Sequence, residues 1–164
     1  MKVYVCYDRY ENDEWFNVYS IGTDRDVSIE KCKKEDLPDF ISYGPDDCHS
    51  FQLVEVELTQ EEYEQLLEWD KDDSMSLEDS DSPYYQFMCD LYDDQYETET
   101  IISTDGQSDV YEIVQFFMDC YELENYLSEV PDDEDNLKYE VQELLFSDDE
   151  LFDKVMREYI EDTY

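Results

Sequence analysis

The side chains in this sequence that could support catalysis are carboxylates, one histidine and five cysteines. Pro45-Asp46 followed by Glu55-Val56-Glu57 superficially matches the acidic positions of a nuclease motif. That motif needs a lysine where Glu57 stands, so metal-assisted hydrolysis is not expected. His49 lies beside Cys48, but a Cys–His nucleophile pair requires adjacency in space, which neighbouring positions in the sequence do not provide. We therefore expect no catalysis at either position.

Metal and cofactor sites are not predicted either. The acidic segment from Asp70 to Asp81 lacks the central glycine of a calcium-binding loop, and the three glycines of the chain form no phosphate-binding loop. The cysteines are widely spaced, odd in number and without a CxxC pair, so they form neither a disulfide framework nor a zinc site. We interpret them as free thiols of a protein in a reducing cytosol. The chain is predicted not to be an enzyme and to need no cofactor.

Charge is the unusual property of this chain. Its 49 acidic and 10 basic residues give a formal net charge of −39, yet 41% of the residues are hydrophobic, so the sequence should fold. Residues 1–70 hold 19 acidic and 6 basic residues, a net charge of −13. Residues 71–164 hold 30 acidic and 4 basic residues, a net charge of −26. The C-terminal part is therefore the predicted anionic face.

Three explanations of this charge compete. A salt-loving host would favour small surface residues, but the sequence has no alanine and contains 16 tyrosines. An AT-rich genome would explain the missing alanine, but it would also raise the lysine content, which is low. The third explanation, which we favour, is that the surface presents negative charge to a basic partner.

The positions of apolar residues predict an α+β fold with two parts. Residues 1–69 read as a small α+β unit, in which 2–7 and 15–21 form an antiparallel pair of strands and 51–58 a third strand. A helix is expected from about residue 26 to the Leu37-Pro38 step, and another follows the Thr59–Glu62 capping box. Residues 70–82 are the predicted acidic linker, and 83–164 a helix-rich acidic unit.

The helices of the C-terminal part should carry the functional surface. One apolar helical stripe is formed by Val110, Ile113, Val114, Phe117 and Tyr121. Ser108 and Asp109 are candidate N-caps of this helix, and Glu112 lies three residues after Asp109, as in a capping box. A second box is expected from Ser147 and Glu150, opening the last helix. We predict that the partner contacts exposed acids on these helices, with no single one essential: Asp109, Glu112, Asp119, Glu122, Glu124, Glu143, Asp148, Asp149 and Asp153.

Helical carboxylates can reproduce the charge density of nucleic acid. Duplex DNA carries one charge per about 1.7 Å of axis, so 39 charges correspond to about 66 Å or 20 base pairs. Carboxylates three or four residues apart on a helix lie about 5–6 Å from each other, near the step between phosphates on one strand. Such a surface would bind a DNA-binding cleft and speed association by electrostatic steering.

Part of the sequence resembles the ArdA antirestriction proteins, which are acidic DNA mimics of phages, plasmids and transposons. The similar residues are Ile101-Ile102 into Thr104-Asp105, then Asp109 to Ile113 with Phe116-Phe117, then Glu129-Val130-Pro131 and Tyr139-Glu140. The match covers about a third of the chain. It implies an elongated modular α+β molecule, a homodimer, and occupation of the DNA groove of a restriction–modification complex without any chemistry.

These observations lead to one expected function and one alternative. The chain should be a DNA-mimic inhibitor from a phage or mobile element that occupies the DNA-binding site of a host restriction–modification enzyme or CRISPR nuclease. The alternative is an acidic regulatory protein that binds a basic DNA-associated or transcription factor of the host. In either case we expect cytoplasmic localisation in the host cell, no direct binding of nucleic acid and no contact with membranes.

Salt should separate the favoured explanation from that of a salt-loving host. Because added salt screens self-repulsion, we expect a mild rise in melting temperature as NaCl is increased. A protein that is unfolded at about 0.15 M NaCl and folds only in molar salt would instead be a halophilic domain. Thermal melts at increasing NaCl concentration, followed by circular dichroism, measure this.

Overall fold

The computed structural model describes residues 1–10, 15–43, 48–93 and 96–164. It is an α+β structure with a four-stranded antiparallel sheet, and its helices predominate toward the C-terminus, which confirms the predicted fold class. Part of the predicted turn after the first strand (11–14) and the predicted loop and motif positions Gly44, Pro45 and Asp46 lie outside the described residues.

The sheet has the strand order β2-β1-β3-β4. Central strand β1 pairs antiparallel with both β2 and β3, so the predicted hairpin of the first two strands is confirmed. The four strands are β1 (Lys2–Tyr10), β2 (Trp15–Gly22), β3 (Cys48–Glu57) and β4 (Thr98–Asp105).

Seven α-helices lie in the described residues. A π-helical segment, Cys32–Asp36, joins the first two, and a short 3-10 helix, Leu123–Asn125, follows the fifth. The α-helices are α1 (Arg25–Lys31), α2 (Leu37–Tyr43), α3 (Gln60–Lys71), α4 (Pro83–Asp93), α5 (Gly106–Cys120), α6 (Glu134–Ser147) and α7 (Asp149–Thr163).

Helix starts test the predicted capping residues directly. At α3 the capping box is confirmed, because Glu62 N donates to Thr59 Oγ1 and Thr59 N donates to Glu62 Oε1. The box predicted at Ser147 is wrong. Ser147 still belongs to α6, and Asp148 caps α7 by accepting a hydrogen bond from Leu151 N at 3.1 Å.

The predicted end of the first helix at Leu37-Pro38 is also wrong. The helical path widens into the π-helical segment and continues as α2, which begins at Leu37. Pro38 is therefore the second residue of α2, directly after the π-helical segment. The lysines at 31, 33 and 34 lie around this junction, and two of them pair with Glu30.

The chain forms two compact units that differ from the predicted division. The first contains Met1–Asp36 and His49–Ser103, and the second contains Leu37–Cys48 and Thr104–Tyr164. The proposed linker, residues 70–82, lies inside the first unit. Its Leu77 O accepts a hydrogen bond from Phe16 N at 3.3 Å, and its Met75 and Leu77 side chains pack against the core.

The core of the first unit lies between one face of the sheet and helices α3 and α4. Alternation along β1 places Val3, Val5 and Tyr7 on this face. Leu66 of α3 and Met88 of α4 are fully buried in the same cluster. Because α4 buries its apolar stripe against the N-terminal strands, it belongs to the first unit and not to the C-terminal one.

The second unit is a group of helices. Helices α5, α6 and α7 contact one another, and α2 contacts α5 and α7. The stripe predicted on α5 is confirmed at its centre, where Ile113, Val114 and Phe117 are buried. The buried partners on the other helices are Ile41, Val141, Leu145, Val155, Met156, Tyr159 and Ile160.

Candidate partner-binding surface

The outer faces of α5, α6 and α7, with the segment that follows α5, carry the acids that the sequence predicts for partner binding. The structure exposes eight of the nine predicted acids and buries one. Residues 104–164 contain 20 acidic and 3 basic residues, a net charge of −17. We call this set of outer faces the acidic helical surface. The eight exposed acids are Glu112, Asp119, Glu122, Glu124, Glu143, Asp148, Asp149 and Asp153.

Asp109 is the exception, so its predicted exposure is wrong. Only 4% of Asp109 is exposed, and its Oδ1 accepts hydrogen bonds from the hydroxyls of Tyr159 at 3.1 Å and Tyr164 at 3.0 Å. Helix α5 begins at Gly106, three residues before Asp109, so Asp109 is not the N-cap. It lies one turn before buried Ile113, on the inward side of the helix. The side chain of Ser108, the other predicted cap, lies outside the described residues.

Glu112 is exposed but held in place. The Tyr159 hydroxyl has one proton, which it shares between Glu112 Oε2, in a short hydrogen bond, and Asp109 Oδ1, in a longer one. One tyrosine thus bridges two carboxylates of α5. Burial and the hydrogen bond to Glu112 both raise the pKa of Tyr159. Burial and the nearby charge of Asp109 raise the pKa of Tyr164. Both hydroxyls therefore remain protonated donors at neutral pH.

A second tyrosine positions an acid that the sequence analysis did not select. Tyr121 stacks on Phe117 with ring centroids 4.8 Å apart, and its hydroxyl donates a short hydrogen bond to Glu158. The pKa of Tyr121 is raised by burial first and by this hydrogen bond second. The helical period of the apolar residues predicts that Glu158 is exposed. Val155 and Tyr159 are buried, and Glu158 lies on the outer side of the same helix.

Several acids at element ends also have local partners. Asp148 accepts from the backbone of α7, and Asn125 Nδ2 donates to Glu122 Oε2 at 3.2 Å. On α5, Gln115 Nε2 donates to Asp119 Oδ1 at 2.9 Å. These bonds use neutral donors, so they restrict the carboxylates without cancelling their charge.

The three basic residues of residues 104–164 all lie within this helical region. Lys138 pairs with Glu134 at 3.4 Å and Arg157 pairs with Asp153 at 2.9 Å, each one helical turn away. Lys154 Nζ lies 5.7 Å from the ring centroid of Tyr121. Exposed pairs of this kind contribute little to stability. In the described helices α4 to α7, the last turn contains no lysine or arginine.

Exposed aromatic side chains accompany the acids. Tyr111 is 61% exposed, Tyr139 62% and Phe146 53%. Tyr139, Glu143 and Phe146 lie at helical positions four and three residues apart, so they form one outer stripe of α6. The sequence analysis did not single out this stripe. The helical period predicts this outer stripe too, because its residues lie on the face opposite the buried Val141 and Leu145.

Comparisons with protein-family models, curated protein sequences and solved structures found no match. The resemblance to the ArdA proteins therefore stays a prediction. The acidic helical surface must be interpreted from its own geometry and charge.

Two further observations bear on what this chain can bind. Among the described residues, no group of three or more His, Cys, Asp or Glu side chains is placed to hold a metal ion. Within the same residues, no helix has the length and apolar character needed to cross a membrane. The side chains of Cys48 and His49 lie outside the described residues.

The bridge from Tyr159 to Asp109 and Glu112 should contribute measurably to stability. Tyr159→Phe keeps the ring but removes the hydroxyl donor, so the buried carboxylate of Asp109 loses one of its hydrogen bonds. We expect the free energy of unfolding to fall by roughly 1–3 kcal/mol in urea titrations. Tyr139→Phe is the matched control, because its hydroxyl belongs to an exposed ring, and it should change the value by less than about 0.5 kcal/mol. Equal losses in both variants would contradict this role of the bridge.

The same tyrosines predict a loss of stability at alkaline pH. Folding raises the pKa values of Tyr121, Tyr159 and Tyr164 above the ordinary 10.0, so the unfolded chain loses these protons first. The contribution of these tyrosines to the free energy of unfolding is complete below pH 10. It declines as the pH rises from there toward the higher pKa values of the folded state. Melting temperatures at pH 9 to 11 should fall less steeply in Tyr159→Phe than in Tyr139→Phe. Parallel slopes would exclude this linkage.

Proposed function

We propose that this chain is a non-enzymatic DNA mimic, encoded by a phage or mobile element, that occupies the DNA-binding site of a host defence enzyme. The target class is a restriction–modification enzyme or a CRISPR nuclease acting in the host cytoplasm. The observation that carries the proposal is the acidic helical surface, on which packed helices expose many carboxylates and few basic residues.

Position is the first requirement of a mimic. A DNA-binding cleft is built to meet phosphates at regular distances, and about half to two-thirds of its hydrogen bonds to DNA go to the backbone. Carboxylates on packed helices lose little conformational freedom when such a cleft closes on them. Glu112 and Glu158, each held by a tyrosine hydroxyl, are already ordered before any partner arrives.

Retained charge is the second requirement. An acid held by lysine or arginine presents little net charge, whereas an acid held by a hydroxyl or an amide presents its full charge. In the second unit the hydrogen bonds from Tyr121 and Tyr159 are of this second kind. With 20 acidic and 3 basic residues over 104–164, the surface can replace many phosphates in the partner's cleft and steer association.

The alternative function has an observation of its own. Tyr111, Tyr139 and Phe146 are more than half exposed, and a phosphate backbone offers no equivalent of these rings. Aromatic residues are enriched at the centres of protein interfaces, where they pack on arginine and apolar side chains. They favour an acidic regulatory protein that binds a basic DNA-associated or transcription factor outside its DNA site.

The experiment compares two charge-reversal variants of equal net charge. The test variant changes Asp119, Glu124, Glu143 and Asp149 to lysine. These acids are exposed, and the set avoids Asp109, the Tyr159 bridge and the α7 cap. The control variant changes four exposed acids of the first unit to lysine, namely Glu61, Glu68, Asp73 and Glu78.

Tagged wild-type chain is used to retain proteins from bacterial lysate, with and without excess duplex DNA. A mimic should retain a DNA-binding nuclease, methyltransferase or related complex that duplex DNA displaces, and should inhibit its cleavage of DNA. The test variant should lose at least about 100-fold in affinity for that complex, because charge reversal replaces attraction by repulsion at four places. The control variant should retain binding within a few fold.

Other outcomes distinguish the two functions. A retained basic protein that is indifferent to duplex DNA, and whose binding is lost on changing Tyr139 and Phe146 to serine, would support the regulatory alternative. Equal loss in the test and control variants would mean that overall charge alone drives binding, which contradicts a built surface.

A further inference from the structure

Two buried thiols in the first unit lie unusually close together. Cys6 of β1 and Cys32, at the start of the π-helical segment, are both fully buried, and their Sγ atoms are 2.8 Å apart. They are 26 positions apart in the sequence. This separation in the sequence does not predict a contact, and the sequence analysis treated every cysteine as an isolated thiol.

The sheet and helix α1 explain this contact. Along β1, Val5 and Tyr7 point into the core on one face, so alternation turns Cys6 to the other face. Cys6 lies opposite Ser20 of β2, and Ser20 Oγ donates to Ser28 O of α1 at 3.3 Å. This bond holds α1 over the sheet and brings Cys32, at its end, to 3.8 Å from Ser20 Oγ.

The distance between the sulfurs is informative. Carbon atoms, which are smaller than sulfur, make optimal contact at about 3.5–4.0 Å. A disulfide bond is about 2.05 Å long. The Sγ atoms of Cys6 and Cys32 at 2.8 Å lie between these values, so an approach of about 0.8 Å would bring them to bonding distance.

We propose that Cys6 and Cys32 are a modification site: a dithiol that a low-molecular-weight disulfide converts reversibly into an intramolecular disulfide. The cross-link would join the central strand of the sheet to the end of α1. This inference is independent of the proposed function, because both cysteines lie in the first unit and the acidic helical surface lies in the second.

The reaction is thiol–disulfide exchange in two steps. The Cys32 thiolate attacks one sulfur of the small disulfide, whose S–S bond breaks and releases a thiolate, leaving a mixed disulfide on Cys32. The Cys6 thiolate then attacks Cys32 Sγ and releases the second small thiolate. The two thiol protons of the protein end on the two released thiolates, so the protein dithiol is oxidised and the small disulfide is reduced.

The surroundings favour Cys32 as the first nucleophile. The hydrogen bond with Cys6 lowers the pKa of Cys32, burial opposes this effect, and the contact with Ser20 lowers the pKa further. The pairing with Cys32 and burial raise the pKa of Cys6. The charges facing the pair are Asp36, which opposes ionisation of both thiols, and Lys31, which favours that of Cys32. Because both thiols are buried, exchange requires local opening of α1 and should be slow.

The test uses the full chain and glutathione disulfide as the probe. Folded protein is incubated with increasing ratios of glutathione disulfide to glutathione, free thiols are trapped with iodoacetamide, and peptides are mapped by mass spectrometry without reduction. We expect a linked peptide pair containing Cys6 and Cys32 that dithiothreitol removes. Closing this loop should also raise the melting temperature by about 5 °C or more.

Variants assign the cross-link. Cys120→Ser removes an exposed thiol and should leave the linked peptide and the melting shift unchanged. Cys32→Ser, or Cys6→Ala where the first variant folds poorly, should abolish both. The proposal is overturned if Cys6 and Cys32 are both recovered alkylated under conditions that oxidise Cys120. It is equally overturned if their cross-link forms only in denaturing urea, or if either cysteine is linked to a different partner.

Discussion

The constraint on which this structure depends is that carboxylates must be held in place by groups that do not neutralise them. With 49 acidic and 10 basic residues, ion pairs cannot satisfy the acids of this chain. Tyrosine hydroxyls take that role in both units. In the first, Tyr84 donates to Asp70 at 2.9 Å. In the second, Tyr159 bridges two acids of α5.

Tyrosine suits this role for two reasons. Its ring contributes apolar area to the core, while its hydroxyl reaches the edge of that core and finds an acid. Tyr84 shows both, since its ring is buried in the core of the first unit and burial raises the pKa of its hydroxyl. Tyr84, Tyr121, Tyr159 and Tyr164, which each donate to a carboxylate, thus couple the packing of the chain to its charge.

The sequence predicts the local elements of this fold better than their assembly. Strong periodicity located the β1–β2 hairpin and the stripe of Ile113 and Phe117, because each depends on neighbours close in the chain. The π-helical segment could not be predicted from its residues, because a proline such as Pro38 occurs both just after the end of a helix and at the start of the next one. The two compact units divide the chain differently from the predicted ranges, because the sequence of an apolar stripe such as that of α4 does not specify which surface will cover it.

The candidate site shows the same division between local and distant information. Exposure of the five acids that lie within α5, α6 and α7 follows from the helical period alone. Burial of Asp109 depends on Tyr159, 50 residues away, and no pattern around Asp109 contains that partner. The contact of Cys6 with Cys32 likewise arises from tertiary packing, here of α1 on the sheet.

The last turns of helices α5 and α7 have a consequence for binding. These turns carry acids such as Asp119 and Asp162 and no basic residue, although the C-terminal end of a helix carries a partial negative charge that favours a cation. Neither helix therefore supplies a cation from its own last turn to compensate its dipole. A lysine or arginine of a partner placed there would pair with the carboxylate and compensate the dipole at once. Binding would then stabilise the helix itself, so that the partner supplies part of the free energy that holds this surface folded.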